Sequence, residues 1–136
     1  MIGLDTNVLI RYFMEDDEDQ AHAATQAIAA LTEDEPGFVS IVVLVEMVWV
    51  LLRSYRLPQD EILPLIDDIL RTRELQVQHA EIVHQAIRAV RATSADFADS
   101  LISGLAASAG CDSTVTFDRA AARLPGMTLL KASKTA

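Results

Sequence analysis

The sequence is short of several things, and each shortage excludes a class of function. It has a single cysteine, Cys111, which excludes an intrachain disulfide and a thiolate zinc cage and suits a reducing, cytoplasmic setting. Aromatic residues make up only 5% of the chain against 51% hydrophobic residues, so an aliphatic core is expected and disorder is not. Basic residues number 11 against 20 acidic ones, a formal charge of −9. That balance argues against broad, charge-driven nucleic-acid binding, but a bound divalent ion would reverse the local sign at a site. No apolar run is long: Ile41–Val45, or Ile41–Leu52 if Glu46 is passed over, is too short to span a bilayer, and no membrane association is expected. The first residues show neither a basic region nor a small-residue cleavage pattern, so no signal peptide is expected. There is no Walker Gly-Lys loop, no Gly-rich dinucleotide motif and no Ser-His or Cys-His hydrolase arrangement. The 136 residues hold no repeat and no Pro/Gly-rich linker, which predicts one domain over 1–131 and a frayed tail over 132–136.

What is present is organised around the opening stretch, Met-Ile-Gly-Leu-Asp-Thr-Asn-Val-Leu-Ile. An apolar run stops at Asp5 and resumes at Val8, which predicts a short buried strand ending at Asp5 and a helix over 7–14. In a parallel α/β sheet, ligands bind beyond the carboxyl ends of strands, near helix N-termini, and Asp5 stands at such a place. Capping of the next helix accounts for Asp5 equally well.

Further along, Glu15-Asp16-Asp17-Glu18-Asp19 reads as a solvated helix start, because acids favour the positive end of a helix and adjacent residues do not converge on one point. An Ala-rich helix follows over about 17–32, then a loop and a short strand, Phe38-Val39-Ser40, with Ser40 as a helix cap. The helix from Ile41 to about Tyr55 is apolar in its first twelve residues except for Glu46. A carboxylate on a helix apolar on all sides is expected to be buried, where it needs a cation, a metal or strong donors. An ion pair with Arg11 or another arginine would also satisfy it.

A helix from Pro58 to about Arg73, a strand at Leu75-Gln76-Val77 and a helix over 80–92 come next, the last with Ile82, Ala86, Ile87 and Val90 inward. His79 and His84 are five apart, not neighbours on a helix face, which disfavours a metal role. A helix is then expected to begin within 93–103. Asp96 and Asp99 share a face of its first turn, and both suit either capping or a site. Residues 113–118 read as a strand ending at Asp118, 119–126 as a turn-and-helix segment and 127–130 as a last strand.

Asp5 and Asp118 therefore end strands, Asp99 opens a helix, and Glu46 lies on a helix that follows a strand. Parallel strands put such positions on one edge of a sheet. Four carboxylates drawn together would repel one another, and a hard divalent cation relieves this. Mg²⁺ and Mn²⁺ prefer oxygen ligands, often one or two carboxylates with waters and substrate phosphate.

In four places the chain resembles the PIN-domain ribonucleases, specifically the VapC toxins of toxin–antitoxin pairs. These are Ile2-Gly3-Leu4-Asp5-Thr6-Asn7-Val8-Leu9, Ser40 with Glu46, Ala95-Asp96-Phe97-Ala98-Asp99-Ser100-Leu101-Ile102, and Thr116-Phe117-Asp118-Arg119. The resemblance runs over essentially the whole chain. It implies a three-layer α/β/α fold with a central, mainly parallel sheet of four to five short strands. It also implies a Mg²⁺- or Mn²⁺-dependent endoribonuclease that acts on RNA, is inhibited by a VapB-like antitoxin and is usually a homodimer. Carried over residue by residue, it makes Asp5 and Asp99 the main metal ligands and Glu46 the third carboxylate, orienting water or acting as base. Asp118 becomes a fourth acid that holds a second metal or acts through water. Asp96 is either a further acid of the site or a helix cap. Thr6 and Asn7 are expected to fix the Asp5 carboxylate and Thr116 to do similar supporting work. Arg11 and Arg119 flank the site in sequence and are the candidates for phosphate contacts. The alternative is a non-catalytic protein-interaction module of PIN-like fold whose acidic pocket binds a basic partner segment. A phosphate-handling receiver or phosphatase is disfavoured, because Asp5-Thr6-Asn7 lacks a second Asp two residues on.

Overall fold

A computed structural model describes residues 1–133. The tail expected over 132–136 lies, for 134–136, outside the described residues, and residues 131–133 carry no regular structure. The chain forms two compact units, Met1–Ala80 and the part from Glu81 onward.

In the first unit, β1 (Ile2–Gly3), β2 (Gly37–Val39) and β3 (Leu75–Val77) make a parallel sheet in the order β1-β2-β3. Ile2 pairs with Gly37 and Gly37 with Leu75. Gly37 is where this sheet is tightest. A side chain there would meet the Leu31, Leu75 and Leu4 methyls at 2.8, 3.0 and 3.1 Å, so any larger residue would have to displace these leucines from the seal around β2. β1 ends two residues before Asp5, earlier than the sequence suggests. The pairing still extends by one bond past the strand, from Leu4 N–H to the Phe38 carbonyl (2.9 Å).

Four helices complete this unit: α1 (Thr6–Met14), α2 (Glu18–Ala29), α3 (Ile41–Arg53) and α4 (Gln59–Arg71). The acidic run serves the turn between the first two. The Asp17 carboxylate accepts from Gln20 N–H as the cap of α2, and Glu18 and Asp19 occupy its first turn, where the helix dipole favours acids. Asp16 is used differently. It accepts from Arg11 Nη1 (2.8 Å) and from the Tyr55 hydroxyl (2.7 Å), tying the α1–α2 turn to the end of α3. The Tyr55 hydroxyl holds the Asp16 carboxyl below the usual carboxylate range, with Arg11 adding to the effect. Burial, and then Asp16 itself, push the Tyr55 phenol up. The core beneath is aliphatic, as the composition suggests: Leu9, Ile10, Leu44, Met47, Leu51, Ile62, Ile66 and Ile69 are all buried.

In the second unit, α5 (Ala80–Thr93) opens at the boundary and α6 (Phe97–Ser108) follows a short loop. The α5 face that turns inward is Val83, Ala86, Ile87 and Val90. Ile82, expected inward, is half-buried instead, and its Cγ2 would stand 2.9 Å from a side chain placed at Gly104 on α6. Two buried serines on α6 satisfy their hydroxyls on carbonyls: Ser100 donates to Ala86 (3.2 Å) and Ser103 to Pro125 (2.7 Å). β4 (Thr114–Thr116) and β5 (Met127–Leu129) pair in parallel, joined by a 3₁₀ turn at Ala121–Arg123. Among the described residues the five short strands form one three-stranded and one two-stranded parallel sheet. Among the described residues no helix is long and apolar enough to cross a membrane.

Candidate active site

In the first unit the three strands run parallel, so the residues just past their ends share one edge of the sheet. Asp5, Ser40 and Gln78 occupy those positions, and each meets a helix start. Asp5 caps α1: its Oδ1 accepts from Thr6 N–H (2.8 Å), and its carbonyl accepts from Val8 N–H (3.1 Å). Capping and site geometry therefore coexist at Asp5, whose side chain is exposed and makes no other hydrogen bond among the described residues. Thr6 fixes the carboxylate through its backbone, with its own side chain buried, while Asn7 is exposed. Ser40 caps α3 by accepting from Val43 N–H (3.1 Å). The Gln78 side-chain carbonyl accepts from Ile41 N–H (3.0 Å). Gln78 was not singled out in the sequence, although a polar residue closing the Leu75-Gln76-Val77 run was the signal for it.

Glu46 corrects the sequence reading. It is exposed, not buried, and makes no hydrogen bond or ion pair among the described residues. The cause lies in how much of α3 the core can cover. Leu44, Met47, Val48 and Leu51 fill the inward face, while Val42 (74% exposed) and Trp49 (56%) share the outward face with Glu46. The Arg53 guanidinium lies 5.5 Å from the Trp49 ring centroid, a contact that shields part of this face. An open cavity of about 430 Å³ is lined by Ile41, Val42, Val45, Glu46 and Trp49. An exposed carboxylate needs no buried counter-charge, and Arg11 does not provide one. Its guanidinium is engaged by Asp16, Gln20 (2.7 Å) and Tyr55 (3.1 Å). Glu46→Gln is accordingly expected to leave Tm within about 2 °C, as an ordinary surface substitution does. A thermal melt that moved by more than about 5 °C would show that the carboxylate supports the fold.

In the second unit the charges of Asp96 and Asp118 both reach Asp99. Asp96 occupies the cap position of α6, yet its side chain makes no capping hydrogen bond. Its carboxylate is left facing water. Asp99, in the first turn, is half-buried. Burial pushes its carboxyl above the usual range, and the charges of Asp96 and then Asp118 push it further. Asp118 lies two residues beyond β4. Its Oδ1 accepts from Ala120 N–H (2.8 Å) and Ala121 N–H (3.2 Å), and its own N–H donates to the Thr116 hydroxyl (3.1 Å). Both the chain and one oxygen of this acid are thereby fixed, with Oδ2 left over. Arg119 is exposed and makes no hydrogen bond or ion pair among the described residues.

Burial and neighbouring charge together disfavour the ionised form of Asp99. The family model for the PIN domain matches residues 2–127. The chain belongs to the PIN domain family. PIN domains are generally nucleases, so the chain carries a nuclease fold of the hydrolase class, with nucleic acid as the implied substrate. The parallel strands and six helices among the described residues agree with the three-layer α/β/α class of this PIN domain. No curated relative matches the sequence. PIN-domain nucleases typically use divalent metals, and the donor chemistry fits one: the Asp99 carboxyl is pushed up by burial first and by the Asp96 and Asp118 charges after it, and hard cations prefer such carboxylate oxygens. Among the described residues no three acid, His or Cys side chains are gathered closely enough to hold an ion by themselves. Mg²⁺ does not require three, since it keeps several waters and is bound through one or two carboxylates and substrate phosphate.

Proposed function

We propose that this PIN domain is a divalent-metal-dependent endoribonuclease, the toxin of a VapBC-type pair restrained by a VapB-like antitoxin and working as a homodimer in the cytoplasm. The observation that carries the nuclease reading is the PIN-domain match over residues 2–127; the Asp99 carboxyl, pushed up by partial burial and then by Asp96 and Asp118, supports a cation beside it. Among the described residues no ion pair involves Asp96, Asp99 or Asp118, and a bound cation would relieve the repulsion. The toxin role, the antitoxin and the dimer rest on the resemblance of the four motifs to VapC toxins.

In this reading Asp5 and Asp99 are the main ligands. Mg²⁺ or Mn²⁺, when bound, supplies the Lewis acidity that activates water and neutralises charge on the scissile phosphate. Glu46, exposed and unpaired, orients the attacking water or accepts its proton. Asp118 offers Oδ2, because Oδ1 is held by two backbone N–H groups. Thr6 N–H and the Thr116 hydroxyl keep Asp5 and Asp118 in place, and Asp96 adds negative charge beside Asp99. Arg119 contacts a substrate phosphate.

Purified protein free of any antitoxin, incubated with a structured RNA pool, should cut with Mg²⁺ or Mn²⁺ and stop cutting in EDTA. Asp5→Asn should lower the rate by about a hundredfold or more, since even residues that only support a metal ligand are worth 10–100-fold. Cutting that survives EDTA would exclude the metal. No cutting in any condition, from folded protein, would favour an interaction module whose acids dock a basic partner.

A further inference from the structure

The chain has few aromatic residues, and most of those in the fold are at least partly covered. Phe117 is the exception in the second unit, 69% exposed, with no ring partner among the described residues. The outward face of the β4–β5 pair explains its position. Thr114 and Thr116 are half-buried, whereas Val115 (63% exposed) and Phe117 point to water, the alternation of a strand continued one residue past its end. Single exposed apolar residues are ordinary, but Phe117 shares its face with exposed Val115, and free energy would be gained if a partner covered its ring.

Its neighbours indicate what does. Phe117, Asp118 and Arg119 are consecutive, so chain geometry keeps their Cα atoms within about 7 Å. One short segment thus presents a free π face, a carboxylate fixed by two backbone N–H groups, and a cation with no partner among the described residues. A nucleotide has a flat base and an anionic phosphate at about that separation. With a net charge of −9, this protein cannot hold RNA by broad electrostatics, whereas base stacking depends little on net charge. We propose that Phe117 is a positioning residue that stacks an unpaired RNA base beside the acids, while Arg119 holds a phosphate of the same strand. The inference rests on the nuclease reading above.

The test uses the full chain and a short unstructured RNA carrying 2-aminopurine, with Mn²⁺ present. Stacking should quench the fluorophore before the first turnover. Phe117→Ala should abolish the quench and raise KM about five- to hundredfold, the range for loss of one base–aromatic stack, with kcat changed by less than about twofold. Phe117→Trp should restore both and Phe117→Leu neither, because leucine keeps an apolar surface but offers no π face. Val115→Ser, on the same face, should bind RNA as the wild type does. Arg119→Ala should flatten the dependence of log KM on log salt by about 0.7, the share of one phosphate on a single strand. A wild type that cuts RNA while Phe117→Ala keeps its KM and quench overturns the inference and leaves the nuclease reading standing. Equal losses from Phe117→Leu, Phe117→Trp and Val115→Ser would show that RNA binding depends on the general packing of this face and not on a stacked ring, and would also overturn it. A wild type that neither binds nor cuts RNA overturns both.

Discussion

Asp99→Asn is expected to abolish cleavage and, in the metal-free protein at neutral pH, to raise Tm. The two effects share one cause. Burial, Asp96 and Asp118 push the Asp99 carboxyl above its ordinary value of 3.8, so the folded chain disfavours the ionised form more than the unfolded chain does. Linkage fixes the sign: a carboxyl raised on folding contributes stability that is present below the unfolded value and is lost as pH rises through the folded one. At neutral pH the wild type carries that penalty in full, and asparagine does not. The helix dipole works in the other direction, favouring an acid in the first turn by about 0.3–1 kcal/mol. A fall in Tm in EDTA would therefore show that the dipole outweighs the crowding and would remove the observation on which the metal reading rests. The gain should shrink as the melts are repeated toward pH 4 and vanish below it, where Asp99 is protonated in both states. With Mn²⁺ the order should invert. An ion bound to the folded wild type at a hundred times its Kd adds about 2.7 kcal/mol, and the variant, having lost a main ligand, should gain far less. Its cleavage rate should fall by at least about a hundredfold, the upper range for residues that merely support a ligand.

The positions of these acids were legible because local chemistry marks them. Helix starts announce themselves through Asp and Ser, and parallel strands end where apolar runs stop. Asp5, Ser40, Asp96 and Asp99 lie at helix starts, and Asp118 lies just past β4. What the pattern could not convey was coverage. Ile41–Leu52 is nearly all apolar, yet a helix of that size in a small fold has more apolar surface than its neighbours can reach. Trp49, Val42 and with them Glu46 therefore stay in water. The role of Arg11 was hidden for a different reason. Its partners Asp16 and Gln20 lie across a turn, and Tyr55 is 44 residues away, a separation over which periodicity carries no information. Phe117 was quoted for its motif and not for its exposure. The alternation Thr-Val-Thr-Phe was a usable signal, but it identifies two faces without saying which is covered. Ser100 and Ser103 illustrate the converse: polar residues on the inward face of α6, acceptable there because each hydroxyl reaches a carbonyl.

Phe97→Ala is expected to lower Tm by about 10–20 °C and to lower activity by more than the loss of folded protein explains. Phe97 is fully buried and opens α6, directly after Asp96 and two residues before Asp99. Truncating a buried phenylalanine costs about 3–5 kcal/mol, a large part of the 5–15 kcal/mol that holds a typical domain together. For a chain of this size each kcal/mol moves Tm by roughly 4 °C. The same ring anchors the turn that presents both carboxylates, and displacement of a reacting group by about 1 Å can lose a hundredfold in rate. Phe97→Leu separates the two consequences. It keeps most of the volume, should cost less than about 1.5 kcal/mol, and should retain cleavage close to that of the wild type. Melts and cleavage assays below the Tm of each variant provide the comparison. If Phe97→Ala, assayed while still folded, cut RNA as fast as Phe97→Leu, the helix start would be held by its backbone alone and the ring would serve only the core. A specific loss in the alanine variant would mean that packing beneath α6 sets how Asp96 and Asp99 are presented at the helix start.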